Sequence, residues 1–269
     1  MDDRAAADLD ELESRTIYIL REAFFSVAPL CMLWSMGKDS TALLWMARKA
    51  FLGKVPFPVA LLDTGMELPE VYRFRDEIGA AWDLDLRNEV CPPESGVDQT
   101  LPPGARAAAR KTAGLRALIA REQYRGIIVG IRRDEQAIRA KERVFSRRAR
   151  DGGWDVKGQP PELWDVFVSE IEDGMHLRIH PLLDWTEVDI WRYIKRESIP
   201  VVPLYFARDG RRYRSLGEKN ITFPIESSAA TLDEIIAELE TTRAPERAGR
   251  SMDHETESAF ELLRLGGYM

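Results

Sequence analysis

The stretch Leu30-Cys31-Met32-Leu33-Trp34-Ser35-Met36-Gly37-Lys38-Asp39-Ser40-Thr41 decides how this chain folds. Its first part is an apolar run of strand length. Its second part is a short polar loop, which leads into a segment whose apolar residues recur at helical spacing. A strand, a loop and a helix in this order aim backbone N–H groups and the positive end of the helix dipole at the loop. The stretch therefore predicts a cradle for a phosphate group.

The side chains of this loop suit an anion. We expect Gly37 to let the backbone approach the ligand closely and Lys38 to supply a positive charge. Hydroxyl donors stand at Ser35, Ser40 and Thr41. The common nucleotide-hydrolase loop is excluded, because it needs a glycine five residues before Gly37 and a Ser or Thr directly after the lysine. Met32 and Asp39 occupy those positions.

Two more polar segments follow predicted buried strands. Asp63-Thr64-Gly65 ends the strand over 59–63, and Gly130-Ile131-Arg132-Arg133-Asp134-Glu135 ends the strand over 126–131. In an open parallel sheet, ligands bind beyond the carboxyl ends of the strands, where the strand order reverses. We therefore expect both segments and the phosphate loop to converge on one crevice.

The residue types in these segments suit transfer of a nucleotidyl group. A phosphorus centre surrounded by negative oxygens needs positioned cations more than a covalent nucleophile. We assign the catalytic set to Lys38, Asp39, Arg132 and Arg133, and nucleotide binding to Ser35, Gly37, Ser40, Thr41, Asp63, Thr64, Gly65 and Gly130. A second anion, the acceptor, is expected at Arg139, Lys141 and Arg143. Asp39 either orients the loop or shares a Mg²⁺ ion with the phosphates. Asp134 and Glu135 are alternative salt-bridge partners of the arginines.

Composition narrows the class of protein. The chain has 269 residues, a net charge of -7 and no apolar run of membrane-span length, and its N-terminus is acidic, which predicts a soluble, cytoplasmic protein with no membrane contact. Two cysteines without a Cys-x-x-Cys pair exclude an iron–sulfur cluster or cysteine zinc site built by this chain alone. Residues 101–150 carry fourteen Lys/Arg against four Asp/Glu, so a polyanionic ligand is expected, and DNA remains open as one.

The order of predicted elements indicates the fold. Helical and strand patterns alternate from residue 9 to about residue 197, which is typical of an α/β fold. They include a helix over 112–124 and antiparallel strand pieces over 154–156 and 163–170, and a short closing helix follows over 255–265. We predict a doubly wound, mostly parallel, Rossmann-like sheet with helices on both faces. Residues 1–205 would form the main domain, and residues 206–269 a C-terminal arm that packs on it or on a partner.

The motifs together resemble a known family. The run Ser35 to Ser40 looks like the PP-loop of the ATP pyrophosphatases, the adenine nucleotide alpha hydrolase-like proteins. The whole set is similar to the family of the sulfate adenylyltransferase small subunit and phosphoadenosine phosphosulfate reductase. The matching segments are residues 35–40, 63–65, 132–135, 139–143, 160–164, 185–191 and 202–205. The resemblance implies ATP cleavage between the α- and β-phosphates, with sulfate as acceptor, adenosine 5′-phosphosulfate and pyrophosphate as products, and a GTPase large subunit as partner.

Two positions depart from the family pattern. Only six residues separate Tyr205 from Arg212, where the family carries an insertion, and Glu218 stands where the family has a cysteine. Because the last cysteine is Cys91, the tail lacks the redox cysteine that the reductases need. One alternative is activation of another acceptor for sulfur incorporation, such as the DNA backbone in phosphorothioate modification, with a cysteine desulfurase as partner. A catalytically inactive nucleotide-binding scaffold is the other, and the intact Lys38 and Asp39 argue against it.

Overall fold

A six-stranded sheet forms the centre of the computed structural model, which describes residues 3–246 and 267. Its strands are β1 Leu30–Leu33, β2 Val59–Asp63, β3 Leu86–Val90, β4 Gly126–Ile128, β5 Phe145–Arg148 and β6 His176–Ile179. They lie in the order β3-β2-β1-β4-β6-β5, and the β5–β6 pairing is the antiparallel one. The doubly wound, mostly parallel sheet predicted from the sequence is confirmed.

Helices cover both faces of this sheet. They are α1 Asp3–Ser26, α2 Lys38–Ala50, α3 Pro69–Ala81, α4 Pro103–Glu122, α5 Glu187–Glu197 and α6 Leu232–Thr241. The crossovers through α2 and α3 lead outward from β1 to β3, whereas α4 leads back from β3 to β4. Because such crossovers are right-handed, α4 lies on the face opposite α2 and α3. The reversal of direction falls between β1 and β4.

The strand β1 lies in the middle of the sheet because all four of its residues are apolar and buried. Met32 faces Val59 of β2 on one side and Ile128 of β4 on the other. A strand buried on both faces needs such a continuous apolar run rather than an alternating one. The loop that follows Leu33 is thereby placed at the switch point of the sheet.

The helix α2 begins directly after Gly37, which has no side chain to cap the first turn. Its apolar residues Leu43, Leu44 and Met46 are fully buried. An uncapped helix start leaves N–H donors without partners in the helix itself. The buried apolar side chains therefore hold α2 in place, and the backbone N–H groups of its first turn are suited to bind an anion.

Three segments differ from the sequence-based expectation. The helix α4 begins at Pro103, nine residues before the predicted start at Thr112, because proline is favoured at the first helical position and small residues follow it. Residues 145–148, part of the basic stretch, form β5, where Arg148 is buried and ion-paired to Glu142 at 2.9 Å. The strand expected over residues 163–170 is wrong, since only an isolated bridge forms there.

The region after residue 205 packs on the rest of the chain. It contains a small hairpin, β7 Arg211–Arg212 with β8 Ile225–Glu226, and the helix α6, which lies against α5. Arg192 of α5 contacts Glu240 of α6 at 2.6 Å. The closing helix predicted over residues 255–265 lies outside the described residues, and the domain division at residue 205 stays a prediction. Within residues 3–246 no helix is long and apolar enough to cross a membrane.

Candidate functional site

A cavity of about 190 Å³ lies beyond the carboxyl ends of β1 and β4, at the switch point of the sheet. The loop after β1 and the loop after β4 form two of its walls, and three later segments complete it. The lining residues with functional side chains or close backbone are Ser35, Gly37, Lys38, Asp39, Ser40, Gly130, Glu135, Arg139, Tyr205, Ser215 and Glu246. The cavity thus unites seven of the residues assigned from the sequence.

Lys38 is the buried cation of this cavity, with 1% of its surface exposed. Its Nζ lies 3.2 Å from Asp39, forms an ion pair with Glu246, and is 3.9 Å from Glu187. Burial alone would lower the pKa of Lys38, but Asp39, Glu246 and Glu187 outweigh burial and raise the pKa above its ordinary value. The ammonium group therefore stays charged in a dry site, where it acts strongly on an anion.

Arg132 is a second buried cation, with its side chain 0% exposed, and it contacts residues of the cavity lining without lining the cavity itself. Its guanidinium forms an ion pair with Asp39 and contacts Asp134 at 2.8 Å and Glu246 at 2.5 Å. Burial alone would lower the pKa of Arg132, but these carboxylates raise it well above its ordinary value. Asp39 bridges Lys38 and Arg132, so one carboxylate holds both cations in position.

Gly130 lets the two loops approach each other. A Cβ at this position would lie 3.2 Å from both the Cα and the backbone N of Ser40. The first turn of α2 therefore packs directly on the backbone after β4. Since such contacts with backbone atoms leave little room to relax, a side chain here would move the phosphate loop.

Arg139 also lines the cavity, from a 3-10 helix over Ala137–Lys141. It is 5% exposed and ion-paired to Glu135, and its buried Nε makes no hydrogen bond among the described residues. A buried guanidinium with a donor left over is suited to an oxyanion. Lys141, which is exposed, and Arg143, which is half-buried, do not line the cavity.

Other residues assigned from the sequence also lie outside the cavity lining. Arg133 points to Asp184 and pairs with it, away from Lys38. Thr41 accepts a hydrogen bond from the indole of Trp34 at 3.0 Å, and this contact joins the two ends of the phosphate loop. Their roles in binding stay predictions, while their observed contacts are structural.

The end of β2 forms a polar cluster of its own. Asp63 accepts hydrogen bonds from the backbone N–H of Gly65 and from the Tyr72 hydroxyl, each at 2.7 Å. The Thr64 hydroxyl donates to the buried Glu218 at 2.8 Å. Glu218, at the position where the family carries a cysteine, thus ties the β2 end to the C-terminal arm. The structure does not bring Asp63, Thr64 or Gly65 to the cavity lining.

Sequence reasoning missed four residues that shape the cavity. The hydroxyl of Tyr205 accepts a hydrogen bond from the backbone N–H of Lys38 at 2.9 Å. Burial raises the pKa of Tyr205, so the phenol stays protonated. Arg214 pairs with Glu187 at 2.8 Å and donates to the carbonyl of Ala244 at 2.8 Å. Tyr205 and Glu187 stand in motifs that carried the resemblance, Arg214 lies just after the shortened connection between Tyr205 and Arg212, and nothing in the sequence marks Glu246.

Comparisons with known proteins identify relatives over nearly the whole chain. A family model, the phosphoadenosine phosphosulfate reductase domain, matches residues 29–224. Sulfate adenylyltransferase subunit 2 of Rhizobium tropici is 41% identical, over 97% of this chain and 92% of its own length. The protein of the same name from Pseudomonas paraeruginosa is 39% identical over 97% of both chains.

Solved structures share the fold at low identity. The FMN adenylyltransferase of Candida glabrata in complex with ATP matches with a TM-score of 0.57 and 18% identity, over 83% of this chain and 66% of that enzyme. The phosphate complex of phosphoadenylyl-sulfate reductase from Candida auris matches with a TM-score of 0.54 and 16% identity, over 83% of this chain and 98% of that one. These two similarities establish the fold alone.

Proposed function

The chain belongs to the phosphoadenosine phosphosulfate reductase domain family, and on that premise we propose that it is the nucleotidyltransferase subunit of a sulfate adenylyltransferase. It would transfer AMP from ATP to sulfate and release pyrophosphate. The observation that carries the proposal is that Lys38 and Arg139 line one cavity at the switch point of the sheet. Arg132 adjoins this cavity, because it shares the carboxylates of Asp39 and Glu246 with Lys38. Identity of about 40% over nearly the whole chain to sulfate adenylyltransferase subunits supports the choice of acceptor.

The chemistry follows from where charge develops. A sulfate oxygen attacks the α-phosphorus, and the bond from the α-phosphorus to the bridging oxygen of pyrophosphate breaks, so the electron pair leaves with pyrophosphate. We assign the stabilisation of this negative charge to Lys38, Arg132 and the first turn of α2, and the proximity of the two cations to each other supports the assignment. Arg139, which lines the same cavity, would hold the sulfate with its remaining donor. The protein thus positions two anions that would otherwise repel each other.

Mg²⁺ is part of this proposal as an ion that arrives with ATP. Among the described residues no group of three metal-ligating side chains is present, so the chain has no ready-made metal site there. Mg²⁺ commonly binds substrate phosphates together with one or two carboxylates. Asp39 is the carboxylate that would join it, and the ion would neutralise charge on the phosphate oxygens.

A protein partner is also proposed. The relatives are named as subunit 2 of their enzyme, which implies at least one further subunit. We propose a large subunit with GTPase activity as the partner of this chain. Of the other interpretations, DNA or a persulfide acceptor would use the same ATP cavity and differ only in what reaches Arg139.

Pyrophosphate release measured with and without sulfate tests the function. We expect release that depends on sulfate, in the presence of the partner subunit, with adenosine 5′-phosphosulfate as product. Arg139→Lys keeps the charge but loses the planar guanidinium, so it should raise the KM for sulfate about tenfold or more. Arg147→Lys on β5, outside the cavity, is the matched control. Release that ignores sulfate and responds to DNA would overturn the assignment.

A further inference from the structure

The segment of residues 242–246, here called the strap, reaches from the end of α6 into the cavity. Its last residue, Glu246, contacts both buried cations, as an ion pair with Lys38 and at 2.5 Å from Arg132. Although burial would raise the pKa of Glu246, Lys38 and Arg132 lower it to about 2. A charged carboxylate therefore occupies the place that the proposed function gives to phosphate oxygens.

The strap has an anchor of its own. Arg214 donates to the carbonyl of Ala244 at 2.8 Å and is held in turn by Glu187. This contact lies two residues before Glu246 and involves backbone, so the strap is positioned independently of the ion pairs at its tip. The carboxylate is thereby presented to the cations as a preorganised ligand.

The charges of this cluster oppose the binding of an anionic ligand. Three positive charges meet four carboxylates in this cluster. The cations are Lys38, Arg132 and Arg214, and the carboxylates are Asp39, Asp134, Glu187 and Glu246. The cluster therefore carries one negative charge in excess while the strap is in place. Removal of Glu246 restores balance and frees donors on both cations. A polyphosphate can bind there only when the carboxylate has left.

We propose that Glu246 is a specificity-determining residue, an internal competitor that keeps simple anions out of the pyrophosphate subsite and yields to the polyphosphate of ATP. The inference rests on the proposed function, since it assigns a role inside the same cavity. The reaction gives Glu246 this role, because the acceptor is itself an oxyanion. Without the carboxylate of Glu246, Lys38 and Arg132 would bind sulfate in the subsite meant for pyrophosphate. A closed strap makes every ligand of that subsite displace a carboxylate, so weak monomeric anions no longer fill it.

The size of the effect follows from the closed population. If the strap is open in about one molecule in ten, the apparent affinity of any ligand for the subsite is about tenfold lower than its intrinsic affinity. Glu246→Gln keeps the shape of the side chain and removes its charge. This variant should bind inorganic pyrophosphate about tenfold more tightly than the wild type and should be inhibited by excess sulfate in competition with ATP.

Calorimetric titration of the full chain with inorganic pyrophosphate is the first test. Glu240→Gln, at an exposed carboxylate of α6 that pairs with Arg192, is the control and should match the wild type. Lys38→Ala should lose binding, and this result tests the proposed ATP site separately. Equal or weaker binding by Glu246→Gln, with Lys38→Ala still defective, would overturn the role of Glu246 and leave the proposed function intact.

Limited trypsin cleavage after the exposed Arg243 reports on the strap directly. Pyrophosphate should speed this cleavage severalfold in the wild type, because the strap must leave the cavity, and Glu246→Gln should be cleaved faster even without pyrophosphate. Cleavage after Arg73, an exposed residue of α3, serves as the internal reference for general unfolding. Cleavage after Arg243 that pyrophosphate leaves unchanged or slows would refute the displacement.

Discussion

Lys38 combines full burial with a charge that three neighbouring carboxylates maintain. At the residue scale we expect Lys38→Ala to lower pyrophosphate release by about a hundredfold or more, since it removes a preorganised contact to the leaving group. Asp39 and Glu246 keep Arg132 as a partner in this variant, so the fold should persist. Single-turnover assays of pyrophosphate measure the loss.

The matched control is Lys49→Ala on the same helix. Lys49 lies outside the cavity lining, is partly exposed and pairs with Glu13 and Glu197. Its removal should change turnover less than about twofold, because exposed ion pairs contribute little. Turnover of Lys38→Ala within a fewfold of this control would contradict the assignment of Lys38.

The residues of the cavity differ in how far a single sequence reveals them. Lys38 and Asp39 follow a strand directly and precede a helix, so local pattern identifies them. Glu246 meets Lys38 across 208 positions, and Glu218 meets Thr64 across 154. Such pairings depend on the folded path of the chain and leave no local signal. Arg148 shows the same limit, since its burial requires Glu142.

At the scale of elements, the close packing of α2 on the end of β4 depends on Gly130. Gly130→Ala would place a methyl group 3.2 Å from the Cα and N of Ser40. We expect a loss of about 1–3 kcal/mol in the free energy of unfolding, as for other overpacked sites, together with weaker ATP binding. Denaturant titration and calorimetry measure the two effects.

Gly96→Ala is the control for this substitution. A Cβ there would lie 3.6 Å from its nearest neighbour, which is ordinary contact distance. Its stability should stay within about 0.5 kcal/mol of the wild type. If Gly130→Ala were equally mild, the close approach of the two loops would not constrain the site.

The strand β6 places two buried histidines at its ends, His176 within it and His180 just beyond it. Burial lowers the pKa of each to about 3, from an ordinary value of 6.5. Both are neutral when folded, whereas the unfolded chain takes up protons below pH 6.5. Stability should therefore fall as the pH drops from about 6.5 towards 3, by up to about 1.4 kcal/mol per pH unit for each histidine.

Replacement of one histidine isolates its contribution to the pH dependence of stability. His180 Nδ1 hydrogen-bonds the carbonyl of Arg143 at 2.9 Å, and Gln can donate to the same carbonyl without titrating. His180→Gln should reduce the loss of stability between pH 7 and pH 5, measured by urea unfolding at each pH. A pH dependence identical to that of the wild type would show that His180 titrates alike in both states.

At the scale of the whole molecule, the C-terminal arm supplies parts of the cavity. Ser215 and Glu246 line it, and Arg214 joins the strap to Glu187 of α5. The arm also packs on α5 through α6. The sequence distinguished residues 1–205 from residues 206–269. Because the later segment supplies part of the cavity lining, we expect the two segments to unfold together.

Tryptophan fluorescence can test this coupling, because all seven tryptophans lie at or before residue 191 and none belongs to the arm.

Arg212 of β7 is fully buried and binds Glu238 of α6 at 2.6 Å. Arg212→Met removes the ion-pair partner of that carboxylate, which keeps only the hydroxyl of Ser227, and should cost about 1–3 kcal/mol. If the molecule unfolds as one unit, the tryptophan midpoint in urea shifts down accordingly, whereas Arg211→Met, at the exposed neighbouring position, leaves it in place. A tryptophan midpoint unmoved by Arg212→Met would mean that the arm unfolds separately. Residues 1–205 would then fold without the arm, and Ser215 and Glu246 would complete the cavity of a domain that is stable by itself.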